Sequence, residues 1–154
     1  MAFDLTIRAT PWRAHLLETR DAHPGLVPVV KGNGYGLGRQ RLAGEAPRLG
    51  ADLIAVGTYE EAAELLGAFP GNVQVLTPWR PFSPRNADPR LIHTVSRVED
   101  IADLASRLPG ARIVVEAISS MARHGIDRHS LAEAARQIAA SSLTVEGFAI
   151  HLPM

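Results

Sequence analysis

Short apolar runs bounded by glycine, proline or acidic residues alternate along the chain with stretches whose apolar positions recur at helical spacing. The runs fall at residues 26–30, 53–56, 73–76, 91–95, 111–115 and 143–150, and they predict six buried strands. Helices are expected from the end of the glycine-rich stretch 32–38 to about Leu49, from Thr58 to near Gly67, from Ser96 to Leu108 and from Ser130 to about Ala140. Thr58 with Glu61, Ser96 with Glu99 and Ser130 with Glu133 each have the spacing of a capping box, in which a hydroxyl and a carboxylate exchange bonds with the first-turn amides. Strand and helix in strict alternation is the pattern of βα units on a parallel sheet. Residues 78–89 carry too many prolines for more than a helical turn, so the third crossover is abbreviated. Ahead of the first strand, residues 3–7 suggest a short extra strand, and Thr10-Pro11-Trp12 reads as the cap and first turn of a helix to Arg20. Pro47, late in the second helical stretch, should kink that helix or end it early.

Composition narrows the function classes. Hydrophobic residues make up 46% and charged residues 21% of 154 residues, enough apolar side chain for one globular domain over 1–154. Sixteen basic residues balance sixteen acidic ones, so the chain lacks the basic field of a general nucleic-acid or anionic-membrane binder. No cysteine is present, which removes disulfides, thiolate metal sites and cysteine nucleophiles. The six histidines form no convincing helical metal pair, and no structural metal is expected. Without a signal-like start or a membrane-length apolar run, a cytoplasmic location is expected.

Fifteen of the sixteen basic residues are arginine, and Lys31 is the one lysine. A primary amine can lose its proton and a guanidinium cannot, so this position is a candidate for chemistry that arginine does not do. The segment Val29-Val30-Lys31-Gly32-Asn33-Gly34-Tyr35-Gly36-Leu37-Gly38 sets that lysine at the carboxyl end of a buried strand, where parallel α/β folds bind ligands. Partial desolvation there would make the amine nucleophilic toward aldehydes, and the glycines would let backbone amides approach an anion. An amine beside an anion cradle suggests an aldehyde cofactor with a phosphate, pyridoxal 5'-phosphate. A Walker loop fits less well because its lysine follows the glycines, and the two-residue glycine spacing is not GxGxxG. From the residues alone, a glycine-rich turn with an incidental lysine stands beside this reading.

The same segment resembles the cofactor-lysine signature of the alanine racemase family, Val-Val-Lys-Ala-Asn-Ala-Tyr-Gly-His-Gly. Lys31, Asn33, Tyr35, Gly36 and Gly38 match, Gly32 and Gly34 stand for alanines, and Leu37 stands for histidine. Further resemblance follows in order along the chain: Val56-Gly57-Thr58-Tyr59-Glu60-Glu61-Ala62-Ala63-Glu64-Leu65 to the second βα unit, residues 71–76 to the third strand, and residues 113–126 to a strand and loop ending Met-Gly-Arg-x-Gly, here Met121-Ala122-Arg123-His124-Gly125. Val145-Glu146-Gly147-Phe148-Ala149-Ile150-His151 resembles a strand end closing in Thr-His.

This resemblance implies an α/β fold, an incomplete TIM (β/α)8 barrel with about six of eight parallel strands and no C-terminal β-domain. It further implies that Lys31 forms the aldimine with pyridoxal 5'-phosphate and accepts the substrate proton on one face, and that Tyr35 donates to the phosphate. Arg123 would lie by the phenolic oxygen, and His151 would join the polar network under the ring. Bland alternatives are an aromatic lid for Tyr35, a solvated loop cation for Arg123 and a strand end for His151. Two departures stand out. Glu116 replaces a lysine that is often carbamylated, with Arg123 as its expected partner, and Ile118-Ser119-Ser120 replaces Asp-Thr-Gly. The expected function is racemisation of a small-molecule amino acid, alanine by the resemblance, with weak activity or none for this chain alone. The rivals are a non-catalytic cofactor-binding or interaction protein and an inactive gene fragment. A closed barrel typically needs about 250 residues, so a homo-oligomer or a complementing chain is expected as partner.

Overall fold

The computed structural model describes residues 6–153. Five strands, β1 (Leu53–Val56), β2 (Asn72–Val75), β3 (Leu91–Val95), β4 (Arg112–Ala117) and β5 (Thr144–Ile150), form one parallel sheet in chain order. Sequential order with every neighbour parallel is the winding of a βα barrel, of which this sheet is an arc. The strand expected at 26–30 is reduced to a bridge between Val29 and Ala55. The Val30 amide donates to the Ala55 carbonyl at 2.7 Å and the Ala55 amide to the Pro28 carbonyl at 2.9 Å. Pro28 has no amide to extend the ladder, and this segment is a sheet edge, where proline is tolerated. The expected strand at 3–7 falls largely outside the described residues.

The helices are α1 (Ala9–Ala22), α2 (Arg39–Glu45), α3 (Tyr59–Leu66), α4 (Glu99–Arg107) and α5 (Leu131–Ala139). Pro47 ends α2 early, and Ala46–Leu49 continues as a tighter 3-10 turn. Of the expected capping boxes only that of Thr58 and Glu61 forms, with both halves present. Ser96 is not a cap, because α4 starts after Val98 and the Ser96 hydroxyl instead accepts from the Arg80 guanidinium at 3.3 Å. At α5 the Ser130 side chain caps no amide, and Asp127 instead closes the turn before the helix: its carboxylate accepts from the amides of His129 (2.8 Å) and Ser130 (3.1 Å) and from the Ser130 hydroxyl. Thr10 lies inside α1, whose N-terminal flank is Arg8.

Alternation along the strands gives the sheet two faces. Ile54, Val56, Val73, Val75, Leu91, Val95, Ile113 and Val115 join Leu65, Phe69, Ile101, Leu104 and Ala134 in the apolar core between sheet and helices. The abbreviated crossover at 77–89 leaves this layer short of a helix, and Trp79 fills the space, fully buried, its indole N–H donating to Asp103 Oδ2 at 2.9 Å. Arg80 fastens the same connection to α4 through Asp100, which is buried and also paired with Arg97. Ala55, Gln74 and Ile92 lie in register on the opposite face, followed by Thr94, Val114 and Glu116. That face carries the polar strand residues Gln74, Thr94 and Glu116, whereas His93 of β3 lies on the core side.

Candidate functional site

The carboxyl ends of the strands surround a cavity of about 400 Å³, within the range of small-ligand sites. Gln74 of β2, Thr94 of β3, Glu116 of β4 and Ala149 of β5 form its floor, and Lys31, Arg123, His124 and His151 line it as well. Three of the four sequence-predicted site residues therefore meet at one place. Tyr35 does not line the cavity; it is exposed on the loop after Lys31, with a backbone φ of 54°.

Each basic group arrives by its own device. Lys31 leaves the bridged segment directly after buried Val30. Arg123 sits on a loop that leaves β4 and returns to it, closed by the Ile126 amide donating to Glu116 O at 2.8 Å and the Ile118 amide donating to Ile126 O at 3.1 Å. Arg123 Nη2 lies 3.1 Å from His151 Nδ1, at the end of β5. The Ser119 hydroxyl donates to the His151 carbonyl, which ties the loop to that strand end. The expected Glu116–Arg123 pair does not form. Arg123 turns to His151, and Glu116 Oε2 is buried with no hydrogen-bond partner. A buried carboxylate oxygen left this way is costly, and it marks a place where a ligand or a moved cation would be favoured.

Two sequence expectations about Lys31 need correction. Its side chain is exposed, so the desolvation argued from an apolar strand is not realised. The glycines do not present an open anion cradle either. The amides of Gly34, Leu37 and Gly38 donate to Lys31 O, Gly34 O and Asn33 O, the Gly36 amide to Asn33 Oδ1, and the Gly32 amide to Glu61 Oε1. The result is a self-closed turn. Gly34 shows why: it is buried at φ 66°, and a Cβ there would stand 2.5 Å from the Gly38 carbonyl carbon.

Gln74 and Thr94 were not picked out from the sequence. Gln74 carries a local signal, a polar residue between Val73 and Val75, whereas Thr94 follows a second polar residue, His93, and alternation alone does not tell which of the two faces the cavity.

The sheet of sequential parallel βα units is an arc of a βα barrel, and a lysine, a guanidinium and an imidazole gather over the carboxyl ends of its strands. A family model described as alanine racemase, N-terminal domain, matches residues 11–154, and the chain belongs to that family. It is 30% identical over 137 residues to an alanine racemase of Campylobacter jejuni subsp. doylei, covering 89% of this chain and 40% of that one. Among solved structures, an alanine racemase from E. faecalis matches with a TM-score of 0.80 at 24% identity, over 92% of this chain and 42% of that one. A histidine racemase from Leuconostoc mesenteroides matches with a TM-score of 0.79 at 20% identity, over 93% and 41%. The chain spans about 40% of the length of the curated relative. The two structures share this fold under names that differ in amino acid, so the fold does not fix the substrate. No helix among the described residues is long and apolar enough to cross a membrane, and no cluster of three or more candidate metal ligands occurs among them.

Proposed function

We propose that this chain is the pyridoxal-phosphate-binding part of an amino-acid racemase, with Lys31 as the cofactor lysine. The observation that carries the reading is the convergence of Lys31, Glu116, Arg123 and His151 on one cavity at the strand ends. The donor set fits the group: an exposed primary amine for an aldehyde, a guanidinium and an imidazole for a phenolic oxygen, and an unpartnered carboxylate oxygen beneath them. The Tyr35 hydroxyl, exposed four residues beyond Lys31, is free to donate to the phosphate.

The chemistry supplied by pyridoxal phosphate when bound is an electron sink for the charge left by α-proton removal. Lys31 Nζ takes the α-proton from one face of the amino acid and can return it, since an amine alternates between acceptor and donor. Arg123, held beside His151, offers its guanidinium donors to orient oxygen ligands. Racemisation needs a proton donor on the opposite face as well, and we assign that group to polypeptide corresponding to the rest of the relatives' length. Alanine as the amino acid is part of the same proposal, supported by the curated relative's name.

The test is covalent. Protein mixed with pyridoxal phosphate and reduced with borohydride should carry the adduct on the Lys31 peptide, and Lys31→Arg should abolish it. An adduct of equal yield in the variant overturns the assignment. A racemisation assay on the same samples separates a catalytic chain from one that binds the cofactor without turnover.

A further inference from the structure

The peptide that follows Lys31 is bound by a carboxylate from the neighbouring βα unit. Glu61 Oε1 accepts from the Gly32 amide at 2.7 Å, the first amide after Lys31. Its other oxygen accepts from the amides of Gly57 at 2.7 Å and Thr58 at 3.3 Å. One carboxylate thus ties the peptide following Lys31 to the peptide ending β1. A Cβ at Gly57 would lie 3.4 Å from Lys31 Cβ and 3.0 Å from Glu61 Oε2, so the peptide ending β1 lies close against both the lysine and this carboxylate. The carbonyl side of Gly32 is held too. Arg39 donates to Gly32 O and is braced by Glu64, one turn beyond Glu61 on α3, through Nε at 3.1 Å. Both polar groups of the residue after Lys31 are therefore fixed by charged side chains whose anchor is α3.

A capping box needs only the reciprocal bonds between Thr58 and Glu61. The Gly32 bond serves no purpose in the cap. It crosses 29 residues of sequence to reach the segment that the parallel ladder holds weakly, since residues 26–30 pair with β1 only through the bridge at Val29. Charge-assisted bonds to backbone amides are the strong kind, and here they substitute for missing ladder bonds.

We propose that Glu61 is a positioning residue for Lys31: its carboxylate fixes the backbone from which the amine projects into the cavity. The proposal rests on the reading of Lys31 as the cofactor lysine for its functional meaning, while the positioning itself can be measured without any cofactor. The experiment compares Glu61→Ala with Thr58→Ala in the full chain. Both break the capping box, so both should lower the melting temperature of α3 and its surroundings. Only Glu61→Ala should speed amide hydrogen exchange at Gly32, by about tenfold or more for a lost charge-assisted bond. With pyridoxal phosphate as probe, only Glu61→Ala should slow covalent capture at Lys31 by a comparable factor, while Thr58→Ala should stay within about twofold of wild type. Equal exchange at Gly32 in the two variants overturns the proposal and leaves Glu61 a helix cap alone. So does faster exchange with an unaltered capture rate. Should wild-type protein capture no pyridoxal phosphate, the cofactor reading fails, and the exchange comparison still decides whether Glu61 holds the lysine segment.

Discussion

The Tyr59 hydroxyl lies 3.1 Å from His93 Nδ1, inside the core between sheet and helices and against the edge of Trp79. Burial pushes the His93 imidazole down to about 4 and the Tyr59 phenol up from its ordinary 10. Both groups are then neutral at physiological pH, and the bond joins an uncharged phenol to an uncharged imidazole.

A pH dependence of stability follows from that pair. Unfolded, His93 binds a proton near its ordinary 6.5, whereas folded it resists protonation down to about 4. Between these values the unfolded chain holds more protons, so stability falls as pH drops from 6.5 toward 4 and is full above 6.5. The shift corresponds to about 3 kcal/mol across the window. Urea midpoints at pH 7.5 and 4.5 should show this loss in wild type and a much smaller one in His93→Gln. An equal loss in both would assign the acid sensitivity to other groups.

Glu116 and Arg123 give a second expectation. Because Glu116 Oε2 is buried without a partner, Glu116→Gln should stabilise the cofactor-free chain, by about 1 kcal/mol or more. Arg123 bonds to His151 instead, so the effects of Glu116→Ala and Arg123→Ala should add within about 0.5 kcal/mol in denaturant titrations. A coupling larger than that would mean that the two charges meet in solution.

The contrast between what the sequence made legible and what it did not is physical. Periodicity located all five strands of the sheet to within two residues, because each alternates or runs apolar against glycine and proline boundaries. Thr58 was legible as a cap since its bonds are local. Ser96 was not, because a tertiary partner, Arg80, took its hydroxyl. Glu61 was recognised only as half of a capping box; its second bond, to Gly32, joins segments 29 residues apart that no local pattern relates. Trp79 was hidden for the same reason: a residue in a proline-broken connection fills the slot that a crossover helix usually fills.

The glycine loop tests whether its closed form is required. Gly34→Ala sets a Cβ against backbone at 2.5 Å in a left-handed residue, and backbone cannot swing aside. Gly36→Ala, at φ 84° with open space around its Cβ, meets only the conformational penalty. The Gly36 variant should lose about 1 kcal/mol. The Gly34 variant should lose clearly more, or else adopt a different loop, which amide chemical shifts at residues 32–38 would reveal. The resemblance places alanine at this position in the family pattern, so a Gly34→Ala chain of unchanged stability would mean that the loop opens readily to the conformation an alanine accepts.

The last expectation concerns the free flank of β5. Its partner β4 pairs along one edge, and Val145 and Phe148, in register with core residues Ile113 and Val115, are 41% and 77% exposed. Ile150 on the same strand is 59% exposed. Phe148 stands level with the buried row of β4 yet has no helix over it, whereas Ile113 and Val115 are covered. An apolar strand with one unpaired edge invites pairing with another chain. The protein should therefore associate in a concentration-dependent way in sedimentation, and Phe148→Glu should shift it toward monomer without unfolding it, because the side chain is already in water. If the association comes from this flank, Leu17→Glu on α1, far along the chain and 36% exposed, should leave it unchanged. A wild-type chain that stays monomeric up to about 1 mM, the top of the range in which exposed strand edges drive association, would show that β5 is protected in solution by a means other than a partner.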